Sequence, residues 1–146
     1  MLRAIRRAFS AAPEEGHSPS DQARLAVAVL LHEARRADYA EGNHESAAAE
    51  EALVEMFGLD RSNAAVLLAQ GREKAQHLTS LFAPIAAVKR AFSQEERIRL
   101  VEHLWRVAFA EGGLDPYEDH YVRKIAHLLY VPNTQAMLAR NRARDG

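Results

Sequence analysis

The stretch Ala108-Phe-Ala-Glu-Gly-Gly-Leu-Asp-Pro-Tyr-Glu118 constrains the fold of this chain more than any other. Asp115-Pro116-Tyr117-Glu118 reads as a capping box: Asp at Ncap accepts from the N3 N–H, and Glu at N3 reaches back to the Ncap N–H. Pro116 stands at N1, where a missing N–H costs nothing. Two glycines just before it end an apolar run. That run opens on a second capping box, Ser93-Gln-Glu-Glu96, and continues through Ile98, Leu100, Val101, Leu104, Trp105, Val107 and Ala108 at helical spacing. The segment is therefore helix, glycine turn, helix. Ala and Leu dominate the 48% apolar content and aromatics are only 7%, which favours packed helices over sheet for the rest.

Taken in order, the chain divides into a basic amphipathic segment (1–12), a Pro/Gly/Ser linker (13–20), a helical body (21–139) and a basic tail (140–146). In the first segment Leu2, Ile5 and Phe9 share one face and Arg3, Arg6 and Arg7 the other. Ser20 or Asp21 is expected to cap the next helix, which runs to about Asp38 with Leu25, Ala28, Val29 and His32 on its stripe. A helix over His44–Phe57 follows, ended by Gly58 as an αL residue. Asp60 caps the next, through roughly His77, and Gly71 marks a close helix crossing or a bend. A helix over Leu78–Phe92 is capped by Thr79 or Ser80, because Pro84 belongs in an early turn. After the helix from Pro116, Val131-Pro132-Asn133 breaks the chain. Asn133 then caps a last helix whose main apolar contact is Met137.

Sliding the second half back by 73 positions aligns some forty residues without a gap. Leu31 meets Leu104, Ala37 meets Ala110, Asp38 meets Glu111, Glu45 meets Glu118, and the cap Asp60 meets Asn133. The expected fold is an all-α, internally duplicated bundle of about seven to eight helices. Two three-helix units face each other and the Leu78–Phe92 helix bridges them.

Leu104-Trp-Arg-Val-Ala-Phe-Ala-Glu-Gly-Gly-Leu-Asp-Pro-Tyr-Glu118, followed by Ile125-Ala-His-Leu-Leu and Val131-Pro, resembles the TerB family of tellurite-resistance-associated proteins. Ala37-Asp38 with Glu45 is similar to the family's first repeat, and Phe92-Ser-Gln-Glu-Glu-Arg97 to its central helix start. The resemblance covers about residues 21–139. It implies a TerB-like fold, also found at the N-terminal side of a membrane-anchored J-domain co-chaperone. It further implies an association with stress responses to tellurite and other agents, and acidic turn residues suspected of binding metal. Two departures stand out: Tyr39 follows Ala37-Asp38 where the family has Gly, and Glu111 replaces the usual Asp.

The candidate site is Asp38, Glu45, Glu111, Asp115 and Glu118. Packed with pseudo-two-fold symmetry, the two turns would bring these carboxylates together, and hard cations such as Ca²⁺ or Mg²⁺ take such ligands. Against this, Asp115 and Glu118 are already accounted for as a capping box, and neither turn follows the EF-hand pattern. Asp38 and Glu111 sit at helix C-terminal ends, where the dipole disfavours a negative charge, so capping does not explain them.

Catalysis is not expected. The chain has no Cys, no H-E-x-x-H, no phosphate-cradling Gly loop and no G-x-S-x-G. His120 and His127 lie seven apart, and His32 and His103 fall in core-facing helices. Net charge is −1, yet the ends are basic and residues 13–139 are acidic by about six charges. Nucleic acid is therefore not expected as a partner. The alternative to a cation-binding stress module is a metal-free, co-chaperone-like adaptor with protein partners, touching a membrane surface through residues 1–12. The chain is expected to be cytoplasmic, or membrane-associated through that segment.

Overall fold

A computed structural model describes residues 19–34, 43–110 and 113–146, with side chains except at 19 and 43–46. Among these residues there are seven helices and no strand: α1 (Pro19–Glu33), α2 (Asn43–Phe57), α3 (Arg61–Ala75), α4 (Phe82–Ala91), α5 (Gln94–Phe109), α6 (Pro116–Leu128) and α7 (Asn133–Asp145). The expected all-α bundle is what forms. No described helix is long and apolar enough to cross a membrane.

The caps explain most boundaries. Asp60 accepts from Asn63 N–H at 2.8 Å and opens α3. Both capping boxes are made, at Ser93/Glu96 and at Asp115/Glu118. Gly58 ends α2 at φ +67°, the left-handed region. Four local expectations need correcting. First, α1 begins at Pro19, so Ser20 and Asp21 lie in its first turn instead of ahead of it. Second, α4 begins at Phe82 and not Leu78. Ser80 Oγ accepts from Phe82 N–H at 3.2 Å, but Leu81 is the Ncap residue and its side chain makes no cap bond. Third, Asn133 does not cap α7: Pro132 holds the Ncap position with extended backbone, and Asn133 is already helical. Fourth, α7 packs through Ala136, Ala139 and Ala143, whereas Met137 is only partly buried. The basic residues Arg140, Arg142 and Arg144 continue that same helix.

The duplication is visible in the packing. α1 packs on α3 as α5 packs on α7. Val27, Leu30 and Leu31 of α1 and Leu100, Leu104 and Trp105 of α5 are fully buried in one shared core. The register is not gapless, however. The 73-residue offset pairs the start of α2 with that of α6, but α3 and α7 start 72 apart. Gly58 and Tyr130, the two residues with positive φ among the described residues, are also 72 apart. The slip therefore falls at the end of α6, and Asp60 corresponds to Pro132, not to Asn133.

α4 lies mainly along α1. Its tie to the second unit is local. Arg97 donates to Lys89 O at 2.9 Å and to Leu129 O at 3.3 Å, and Lys89 lies over the Tyr130 ring. Gly71 marks a crossing and not a bend. A Cβ there would stand 2.6 Å from Ala28 Cβ and 2.7 Å from its backbone carbonyl carbon, so α1 and α3 touch backbone to backbone.

Candidate functional site

The second acidic turn is fixed by its capping box. Glu118 N–H donates to Asp115 Oδ1 at 2.8 Å, and Asp115 N–H donates to Glu118 Oε1 at 3.4 Å. The corresponding reach-back in the other box, Ser93 N–H to Glu96 Oε1, is 2.8 Å. Glu118 is thus the looser of the two capping glutamates, and it is buried at 8% exposure where a capping glutamate is ordinarily solvated. One turn further along α6, the Tyr121 hydroxyl donates to Leu30 O of α1 at 2.9 Å. Burial, with Glu33 and Tyr117 close by, lifts the Tyr121 phenol well above its ordinary value, so it stays a donor. This bond pins the start of α6 against the last turns of α1.

Of the five expected ligands, Asp115 and Glu118 are together at the start of α6. Asp38 and Glu111 lie outside the described residues. Glu45 falls in the first turn of α2 with its side chain outside them. Among the described residues no three His, Asp or Glu side chains are grouped to hold a metal ion. Because three of the five carboxylates are not in that set, their convergence stands as an expectation.

A second polar cluster escaped the sequence reading. His103 is buried on α5, and its Nε2 lies 2.9 Å from Glu55 Oε1 of α2. Arg106 meets Glu102 at 2.7 Å and Glu55 at 3.9 Å, and Arg142 of α7 meets Glu102 at 2.7 Å. The chain links α2, α5 and α7 at the surface of a cleft. Burial pulls His103 below its ordinary 6.5. Glu55 pulls it upward, Arg106 pushes it down and Glu102 pulls it up, with Arg99 lowering it again, and burial wins. His103 is therefore a neutral donor to Glu55. Within the cluster Glu55 and Glu102 are engaged by His103, Arg106 and Arg142, so it knits α2, α5 and α7 together. The only sequence signal for it was a histidine amid the apolar stripe of α5.

The model of the family described as Tellurite resistance protein TerB matches residues 24–141. The chain belongs to the TerB family. No curated protein and no solved structure matches it. The TerB match runs from early α1 into α7 and so takes in both three-helix units and both acidic turns. Membership covers the fold and the duplicated architecture read above.

Proposed function

We propose that this TerB-family chain is a non-enzymatic stress-response module that binds a divalent cation, Ca²⁺ or Mg²⁺, through Asp38, Glu45, Glu111, Asp115 and Glu118. The hydrogen bond from Tyr121 to Leu30 carries the reading. Leu30 is in the last turns of α1, from which the chain enters the first acidic turn. Tyr121 follows directly on the second turn's capping box. One bond thus ties the exit of the first turn's leading helix to the entry helix of the second turn.

The test is thermal unfolding of the full chain after chelator stripping, with Ca²⁺ or Mg²⁺ added back at millimolar level. A ligand that binds only the folded state raises the midpoint. A cation at about 100 times its Kd stabilises by about 2.7 kcal/mol. Glu111→Gln with Glu118→Gln should remove that gain while leaving the cap intact, since Gln serves at N3 as Glu does. A midpoint that ignores both cations ends the cation reading and leaves a metal-free protein-interaction scaffold as the function of the domain.

A further inference from the structure

We infer that the groove between α1 and α4 is a docking site for an acidic amphipathic helix of a partner protein. The groove holds about 440 Å³. α1 supplies one wall with Leu25 and Val29, α4 supplies the other with Pro84 and Ala87, and Leu78 closes the α3 end. On each helix the lining residues span eight positions, seven steps apart at the ends, Gln22 to Val29 and Ala83 to Arg90, at helical spacing. Seven steps rise about 10 Å, two helical turns. A concavity of that length between two helices suits apolar anchors at i, i+3, i+4 and i+7 of a third.

Charge decides the occupant. Lys74 and Arg90 line the groove and no acid does. Neither cation has an ion-pair partner among the described residues. Several arginines elsewhere are engaged: Arg61 with Glu50, Arg106 and Arg142 with Glu102, Arg123 with Asp119. A body that is net acidic presents, beside one apolar furrow, two cations with no ion-pair partner among the described residues. Such a rim favours carboxylates flanking the anchors and repels a basic helix. This chain's own basic residues 1–12 carry the wrong sign for it. The groove is built from α1, α3 and α4, away from the capping box of α6, so the inference does not depend on cation binding.

Fluorescence anisotropy with the full chain, in chelator, tests it. The probe is a labelled helical peptide of about 16 residues, with Leu at i, i+3, i+4 and i+7 and Glu at the flanking positions. Its partner probe has Lys in place of every Glu. The Glu peptide should bind saturably and about tenfold more tightly than the Lys peptide. Lys74→Glu with Arg90→Glu should reverse that order. Ala83→Tyr, at an exposed groove position, should block both peptides with the circular dichroism melt unchanged. Equal binding of the two peptides, an order unaffected by the charge reversal, or no saturable binding by about 1 mM overturns the inference. So does displacement of the peptide by unlabelled chain together with self-association in sedimentation, which would assign the groove to a second copy.

Discussion

In the first three-helix unit, α1 and α3 meet at Ala28 and Gly71 with their backbones nearly touching. In the second, α5 and α7 meet with a tryptophan laid along the seam. Trp105 is fully buried, its indole N–H donates to Ala136 O at 3.1 Å, and Arg140 covers its ring. The residue equivalent to Trp105 in the first unit is His32, only half-buried. One packing plan is therefore filled in two ways, close backbone approach in one half and a large aromatic in the other. The same contrast holds for the arginines that reach the end of each second helix. Arg97 donates to Leu129 O, where the carbonyls of α6 run out, while its counterpart Arg24 stacks on the Phe57 ring. Duplication preserved the positions and let the chemistry diverge.

The largest test of this contrast is Trp105→Ala against His32→Ala. Removing a fully buried tryptophan leaves a cavity and takes the indole donor from the Ala136 carbonyl, a loss of about 4 kcal/mol. The half-buried His32 should cost about 1 kcal/mol or less. Urea unfolding followed by circular dichroism measures both, and similar losses would mean that the two seams share one mode of packing.

Gly71→Ala against Ala143→Gly comes next, since these two occupy the same place in α3 and α7 at the 72-residue offset. Alanine ordinarily stabilises a helix over glycine by about 1 kcal/mol. At Gly71 the added Cβ would meet Ala28 at 2.6 Å, and its near neighbours there include backbone, which cannot swing aside. Separating α1 from α3 should outweigh the propensity gain and leave a net loss of about 2 kcal/mol. Ala143→Gly should lose the propensity and part of one buried methyl, about 1.5 kcal/mol in all. A stabilised Gly71→Ala variant would mean that the crossing is looser than its geometry.

These seams also mark how far the residues alone could be read. Both capping boxes and the αL Gly58 were legible, because each rests on a few adjacent side chains with one physical job. The α7 cap was misread because Tyr130, a bulky residue, takes the left-handed conformation that glycine usually marks. With that turn hidden, Asn133 looked like the cap and the repeat looked gapless. The start of α4 was misread because Ser80 does accept a backbone N–H, but in a turn just ahead of the helix. The site divides likewise. Asp115 and Glu118 were readable as a local cap, whereas His103 and Glu55 meet only through packing of α5 on α2. The tie from Tyr121 to Leu30 joins residues on different units and leaves no trace in local spacing.

The two units also meet through unlike polar links, and pH separates them. Tyr121 keeps its proton across the neutral and acid range, so its bond to Leu30 is indifferent to pH there. His103 is different, since burial holds its folded pKa below 6.5. As pH falls, the unfolded chain takes up the proton first. Stability contributed by neutral His103 is complete above about 6.5 and is lost as pH drops toward the lowered folded value, beneath which both states are charged. His103→Gln keeps a donor for Glu55 but cannot titrate. The variant's stability should therefore fall less than that of the natural protein below pH 6.5, an effect smaller than either packing change. Parallel curves for the two proteins would show that His103 titrates alike in the folded and the unfolded chain, so that burial leaves its pKa unmoved.

The smallest effect concerns Gly58 and Tyr130, both left-handed. At Gly58 an added Cβ meets nothing within 4 Å, so Gly58→Ala is a purely conformational change. It should cost about 1 kcal/mol, the left-handed penalty of an L residue. Tyr130 already carries that penalty at φ 63°. Tyr130→Gly should recover it, yet the gain is offset by glycine's greater freedom in the unfolded chain and by loss of the ring under Lys89, whose Nζ lies 4.4 Å from its centroid. The net change should be close to zero. In a Lys89→Ala background the ring has no cation to hold, and Tyr130→Gly should become stabilising by about 0.5 kcal/mol. That double-mutant cycle separates backbone strain from ring contact. If Tyr130→Gly stabilises equally in both backgrounds, the ring contributes nothing and the strain at Tyr130 is uncompensated. If it destabilises in both, the tyrosine is held by something other than Lys89, and the second unit tolerates its left-handed turn for a reason the first does not share.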